Sequence, residues 1–144
     1  MDNMNQKKRE DENIAKSDIL HFPEGIPGFE DIKDYVLLAD EDVSFIMTLQ
    51  STTTKHPSFV VVDPYCVLTD YKPLLSEADQ KFFKVTHTEE LKFLLIAILT
   101  DNIEDSVINL KSPIAIHPEK NSAKQVILEN SNYPIRFHLF SQTK

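Results

Sequence analysis

Only two glycines stand in this chain of 144 residues, and both lie in Phe22-Pro23-Glu24-Gly25-Ile26-Pro27-Gly28-Phe29-Glu30-Asp31 together with two of the eight prolines. Glycine reaches positive φ without a Cβ clash and proline fixes φ at about −65°, so Pro23-Glu24-Gly25 and Pro27-Gly28 read as two consecutive tight turns. No other segment reverses direction so easily. Phe22 and Phe29 bracket the pair. With both rings buried, the exposed material of this stretch is Glu24, Ile26 and Glu30, an acidic and partly apolar knuckle. A stiff corner between two strands is the alternative reading of the same residues.

Elsewhere the chain reads as short strands. Asp18-Ile19-Leu20-His21-Phe22 enters the double turn, and Tyr35-Val36-Leu37-Leu38 leaves it for an acidic turn at Asp40-Glu41-Asp42. Ser44 to Ser51 and Ser58 to Val62 then form an antiparallel pair across a glycine-free loop, with Val60, Val61 and Val62 stiff at χ1 and suited to a half-buried pleated surface. Asp63-Pro64 ends that strand, because proline removes a ladder donor. One helix is expected at Ser76-Glu77-Ala78-Asp79-Gln80-Lys81-Phe82-Phe83, where a capping serine precedes early negative charge. A further helical turn fits Thr88-Glu89-Glu90-Leu91.

Phe93-Leu94-Leu95-Ile96-Ala97-Ile98-Leu99 is the most apolar run, of a length for a strand buried on both faces. After it come apolar runs at 106–110, 113–117, 124–129 and 135–139, each followed by turn chemistry. That spacing predicts a mainly β domain, an antiparallel sandwich or barrel with one short helix. A hydrophobic fraction of 41% suffices for one core. Residues 1–16, with Lys7-Lys8-Arg9-Glu10-Asp11-Glu12 and little to bury, read as a disordered polar tail ahead of a single domain over 17–144.

Charge narrows the partners. With 23 acidic against 15 basic residues and a net charge of −8, the chain is a poor match to nucleic acid or an anionic membrane, and a basic protein partner fits better. The N-terminus lacks the apolar run of a signal peptide and no stretch approaches a membrane span, so a cytoplasmic protein is expected. Cys66 is the only cysteine, which excludes an internal disulfide.

No catalytic constellation assembles. Phosphate loops and nucleophile elbows need glycine where backbone meets substrate, and both glycines are committed to the double turn. His21, His56, His87, His117 and His138 are isolated from one another, and no metal or other cofactor is expected. The acidic clusters Asp40/Glu41/Asp42, Glu77/Asp79, Glu89/Glu90 and Asp101/Glu104/Asp105 flank turns and helix starts, as capping and solvation require. Cys66 reads as a small core residue. A binding protein without enzymatic activity is the reading that survives, with a generic acidic interaction module and a carboxylate-dependent enzyme on a barrel rim as alternatives.

In order along the chain, Phe22 to Glu30, Leu49-Gln50-Ser51, Phe59 to Pro64, Asp70-Tyr71, Val107 to Ile114, Gln125 to Leu128 and Tyr133-Pro134-Ile135 resemble the bacterial flagellar assembly factor FliW family. The likeness runs from residue 18 to 140, and three departures stand out. Residues 1–16 look like an addition, Ser112 replaces an expected alanine, and His117 and Ala123 replace asparagine and glycine. The resemblance implies a small β-barrel-like fold without enzymatic activity and two protein partners, flagellin and the dimeric RNA-binding translational repressor CsrA; the free chain is expected to be a monomer. When free flagellin falls, the factor would bind the repressor, RNA would be released, and flagellin translation would resume. A chain at −8 beside a basic RNA-binding surface attracts the protein and repels phosphates. The candidate partner surface is Glu24, Ile26, Pro27 and Glu30 with Asp70-Tyr71 and Asn109-Leu110-Lys111. Asp63-Pro64, Asn109 and Gln125 read equally well as residues that satisfy turns and ladders.

Overall fold

The computed structural model describes residues 19–138 except 40, 41, 43 and 44. The expected tail, and part of the acidic turn at 40–42, lie outside the described residues.

Among the described residues, nine strands occur in the order β1 (Ile19–His21), β2 (Asp34–Ala39), β3 (Ile46–Ser51), β4 (Ser58–Val62), β5 (Lys92–Ile98), β6 (Val107–Ile108), β7 (Ile114–His117), β8 (Ser122–Gln125) and β9 (Phe137–His138). Helices α1 (Pro64–Val67) and α2 (Glu77–Phe83) fall between β4 and β5, with short 3-10 turns at Thr88–Glu90 and Ile103–Asp105. Seven strands close a ring, β4-β3-β2-β1-β8-β7-β5, sealed by the pairing of β5 back to β4. The fold is therefore a barrel rather than a sandwich. Neighbours are antiparallel except β1 and β8, which meet in parallel at His21 and Ser122.

β5 organises the molecule. Val60, Val61 and Val62 of β4 face its Ala97, Ile96 and Leu95. On its other side β5 forks: Lys92, Phe93 and Leu94 pair with β7, whereas Ala97 and Ile98 pair with β6. β6 carries β9, so these two strands leave the ring as a short ribbon. Alternate side chains of β5 enter different cores, as the period of a strand requires. Leu94 points into the barrel with Leu20, Phe22, Tyr35, Leu49, Val61 and Ile114. Phe93, Leu95 and Ala97 point outward, under Tyr71, Leu75, Phe83 and Leu91. The expected two-sided burial holds for most of the strand, and its two ends escape, with Lys92 exposed and Ile98 57% exposed.

Local signals explain both helices. Ser76 caps α2 by accepting from the Asp79 N–H at 3.2 Å, and Glu77 and Asp79 supply the early negative charge. α1 is an extra helical turn that was not expected. Asp63-Pro64 ends β4 and also starts a helix, because the Asp63 carboxylate accepts from the Tyr65 N–H at 2.9 Å and Pro64 sits in the first turn. Cys66 rides on the outer side of α1 and is exposed, a correction to its reading as a core residue. The strand expected over 124–129 begins and ends earlier, at Ser122 and Gln125. Past it, the Val126 and Leu128 N–H groups bond to the Pro113 and Lys111 carbonyls while both side chains sink into the outer core.

Candidate binding surfaces

The two tight turns form as the sequence predicts. The Gly25 N–H donates to the Phe22 carbonyl at 2.9 Å and the Phe29 N–H to the Ile26 carbonyl at 2.7 Å. Gly25 and Gly28 hold φ of 71° and 91°. Pro27 followed by Gly28 at positive φ is the pattern of a type II turn. Two expectations for this stretch are corrected. Ile26 is 2% exposed and packs inside the barrel, because the first turn redirects the chain toward Phe22 and Tyr35. Phe29 is 41% exposed, since the second turn carries it out to the lip of the barrel. There it leans edge-on against Phe59, with ring centroids 5.8 Å apart.

Glu24, Pro27 and Glu30 are exposed, as a contact surface needs. Glu30 also turns back on its own loop: its carboxylate accepts from the Gly28 N–H at 3.1 Å, which holds that carboxyl below the usual range. Glu24 lies 3.8 Å from the Lys124 ammonium, which bonds to the buried Asp79 carboxylate at 2.7 Å and sits over the Phe82 ring. Lys124 thus ties the double turn to α2.

Asp70-Tyr71 and Asn109-Leu110-Lys111 are brought together, though mostly as structure. The Tyr71 hydroxyl donates to the Leu110 carbonyl at 2.7 Å. Tyr71 and Leu110 are 4% and 1% exposed, which makes both chiefly core residues. Burial pushes the Tyr71 hydroxyl pKa well up. The Asn109 side-chain oxygen accepts from the Lys111 and Ser112 N–H groups at 3.0 and 2.9 Å, and Gln125 donates to the Ser112 carbonyl. Asn109 and Gln125 therefore build the turn into β7. Lys111 is half-buried and donates to the Ser131 carbonyl, while Asp70 is exposed.

Sequence reasoning missed a groove of 660 Å³ between α1 and the 86–91 segment. Tyr71, Leu91 and Phe93 contribute its buried apolar surface, and the exposed Tyr65 and Leu74 stand on its walls with His87 and Glu89. Tyr71 packs between Tyr65 and Tyr133, with centroids 6.3 and 4.8 Å away. Burial raises the Tyr65 hydroxyl pKa, and the negative charges of Asp63 and Glu89 add to the effect. Nothing local marks this groove, because its tyrosines are far apart in sequence and Leu74 lies in a loop without periodicity. A smaller concavity of 140 Å³ is lined by Ile96, Ile98, Asn109, Gln125, Ile135 and Arg136 among others. Among the described residues no group of three or more His, Cys, Asp and Glu is placed to hold a metal, and no helix is long and apolar enough to cross a membrane.

The family model described as FliW protein matches residues 3–139. The chain belongs to the FliW family. The match starts inside the segment 1–16 that the sequence sets apart as an addition. Among FliW proteins, the flagellar assembly factor FliW of Geobacillus kaustophilus is 36% identical over 129 residues, covering 90% of this chain and 89% of that protein. The factor of the same name from Desulfitobacterium hafniense is 34% identical over 131 residues, covering 91% and 86%. A crystal structure of the flagellar assembly factor FliW superposes with a TM-score of 0.80 at 33% identity over 92% of each chain. The mainly β barrel is thus the FliW fold, and the chain is a FliW-type flagellar assembly factor.

Proposed function

We propose that this FliW-family chain acts in the cytoplasm by protein binding alone, holding flagellin when it is plentiful and the CsrA-type repressor when it is not. Capture of the repressor frees the flagellin message for translation. The observation that carries this reading is the pairing of FliW membership with a net charge of −8. A repressor that holds RNA needs a basic surface, and an acidic neighbour both attracts that surface and repels RNA phosphates. The exposed carboxylates of Glu24, Glu30 and Asp70 are the predicted residues available to do this.

Titration calorimetry of the chain against its host's CsrA-type repressor, and separately against flagellin monomer, tests the reading. Binding to both supports the partner switch. Binding to neither reduces the family relationship to shared architecture. The mechanism has its own test, because repulsion between exposed charges is screened over about 8 Å at physiological ionic strength. Release of RNA from the repressor should weaken steeply as salt rises; release that is independent of salt would mean steric or conformational exclusion instead.

A further inference from the structure

Arg136 is the one charged side chain lining the smaller concavity, and among the described residues it makes no hydrogen bond or ion pair. Lys111 and Lys124, each within two residues of a lining residue, are committed to the Ser131 carbonyl and the Asp79 carboxylate. The strand register explains the site. Ile98, Val107 and His138 stand side by side across β5, β6 and β9, and two residues back on the same face come Ile96, Asn109 and Arg136. The acids of the β5–β6 loop, Asp101, Glu104 and Asp105, follow the Ile98 row, at the end of the ladder away from Arg136. Two amides line the same concavity with half their capacity unused. The Asn109 oxygen takes the Lys111 and Ser112 N–H groups, which leaves its NH2, and Gln125 donates to the Ser112 carbonyl, which leaves its side-chain oxygen. Ile98 and Ile135, 57% and 62% exposed, supply apolar surface beside them.

We propose that this concavity takes one aliphatic side chain and an adjacent carboxylate from a protein partner, the carboxylate on the Arg136 guanidinium and the neighbouring main chain on the Asn109 and Gln125 amides. A volume of 140 Å³ has room for a single side chain rather than for a small-molecule ligand, whose pockets run to roughly 300–1,000 Å³. The planar guanidinium matches a carboxylate in two parallel hydrogen bonds. The sign of the site selects the partner. A basic surface gains nothing from Arg136, so on the two-partner reading above, on which this assignment rests, the occupant is an acidic, aliphatic segment of flagellin and not the repressor. The two partners would then meet surfaces of opposite charge.

Titration calorimetry of the full chain and its variants against flagellin monomer, and separately against the host's CsrA-type repressor, decides the matter, with thermal melting as the check on folding. Arg136→Glu and Ile135→Ala should each weaken flagellin binding about tenfold or more, with Arg136→Lys, which keeps the charge and loses the fork, falling between parent and Arg136→Glu. Repressor binding should stay within twofold of the parent or tighten in Arg136→Glu. Melting temperatures should stay within a few degrees, because both side chains are exposed. Flagellin binding within twofold of the parent in both Arg136→Glu and Ile135→Ala overturns the site, and so does an equal loss for both partners, which would show that its charge selects nothing. A parent chain that does not bind flagellin at all overturns the partner reading itself, and this assignment falls with it.

Discussion

The Tyr71 hydroxyl donates to the Leu110 main-chain carbonyl at 2.7 Å across 39 residues of sequence, in a part of the outer core closed to solvent. It joins the loop after α1 to the turn that feeds β7. A buried carbonyl left without its donor keeps the full cost of desolvation, about 1–3 kcal/mol. Tyr71→Phe should therefore lower the unfolding free energy by that amount, read as a lower urea midpoint at unchanged slope, with the ring and the groove floor preserved. A midpoint equal to the parent's would show that the bond contributes nothing net.

Tyr35 predicts the opposite sign. Its ring is fully buried in the barrel against Phe22, and among the described residues its hydroxyl is the one buried side-chain polar atom without a hydrogen-bond partner. Burial alone raises its pKa. Tyr35→Phe removes an unsatisfied group without changing the ring, so it should stabilise the chain by on the order of 1 kcal/mol. Loss of stability on denaturant titration would point to a partner for the hydroxyl.

The two glycines should not respond alike to alanine. Left-handed backbone costs an L-residue about 1–2 kcal/mol, and Gly28→Ala should show little beyond that, since its added Cβ meets nothing within 4 Å. At Gly25 the same Cβ would stand 2.5 Å from the Glu30 Cα and 2.6 Å from its carbonyl oxygen, so the following turn must move. Gly25→Ala should be clearly the more destabilising of the two by thermal melting. Equal losses would mean that the double turn is soft enough to absorb the clash.

Acid should weaken the fold through two turn carboxylates. Glu90 accepts from the His87 and Thr86 N–H groups at 2.9 and 3.1 Å, and these bonds hold its carboxyl below the usual range, as the Gly28 N–H does for Glu30. A carboxyl depressed in the folded state contributes stability that is complete above the unfolded value, about 4.3. That stability is lost as pH falls through the lower, folded value. The melting temperature should fall on acidification below about pH 4.3, and Glu30→Gln combined with Glu90→Gln should make that fall less steep. Identical acid limbs in parent and variant would remove these two groups from the account.

What was legible in the sequence was whatever depends on neighbours along the chain. The double turn follows from Pro27-Gly28 and Pro23-Glu24-Gly25, and α2 follows from Ser76 with the acids behind it. The two-sided burial of β5 was also readable, because a continuous apolar run leaves a strand no polar face to expose. Ring closure was not, since it depends on which distant strands share a register. Nor was the direction of side chains at a turn: Ile26 and Phe29 are equally apolar, yet one enters the barrel and the other sits on its lip. Asp63-Pro64 carries two instructions, ending β4 and starting α1, and only the first is evident from the sequence alone. The motif residues Asn109 and Gln125 looked like contacts or turn builders in equal measure, and their hydrogen bonds place them among the turn builders. The Tyr65/Leu74 groove had no signature, because its walls come from segments that meet only after folding.

The ring of seven strands is joined between β1 and β8 by one register pair, His21 with Ser122. That pair works as a clasp. While it holds, neither strand offers an edge to another chain. Once it opens, β1 and β8 become two free borders, each already shaped to fit the other.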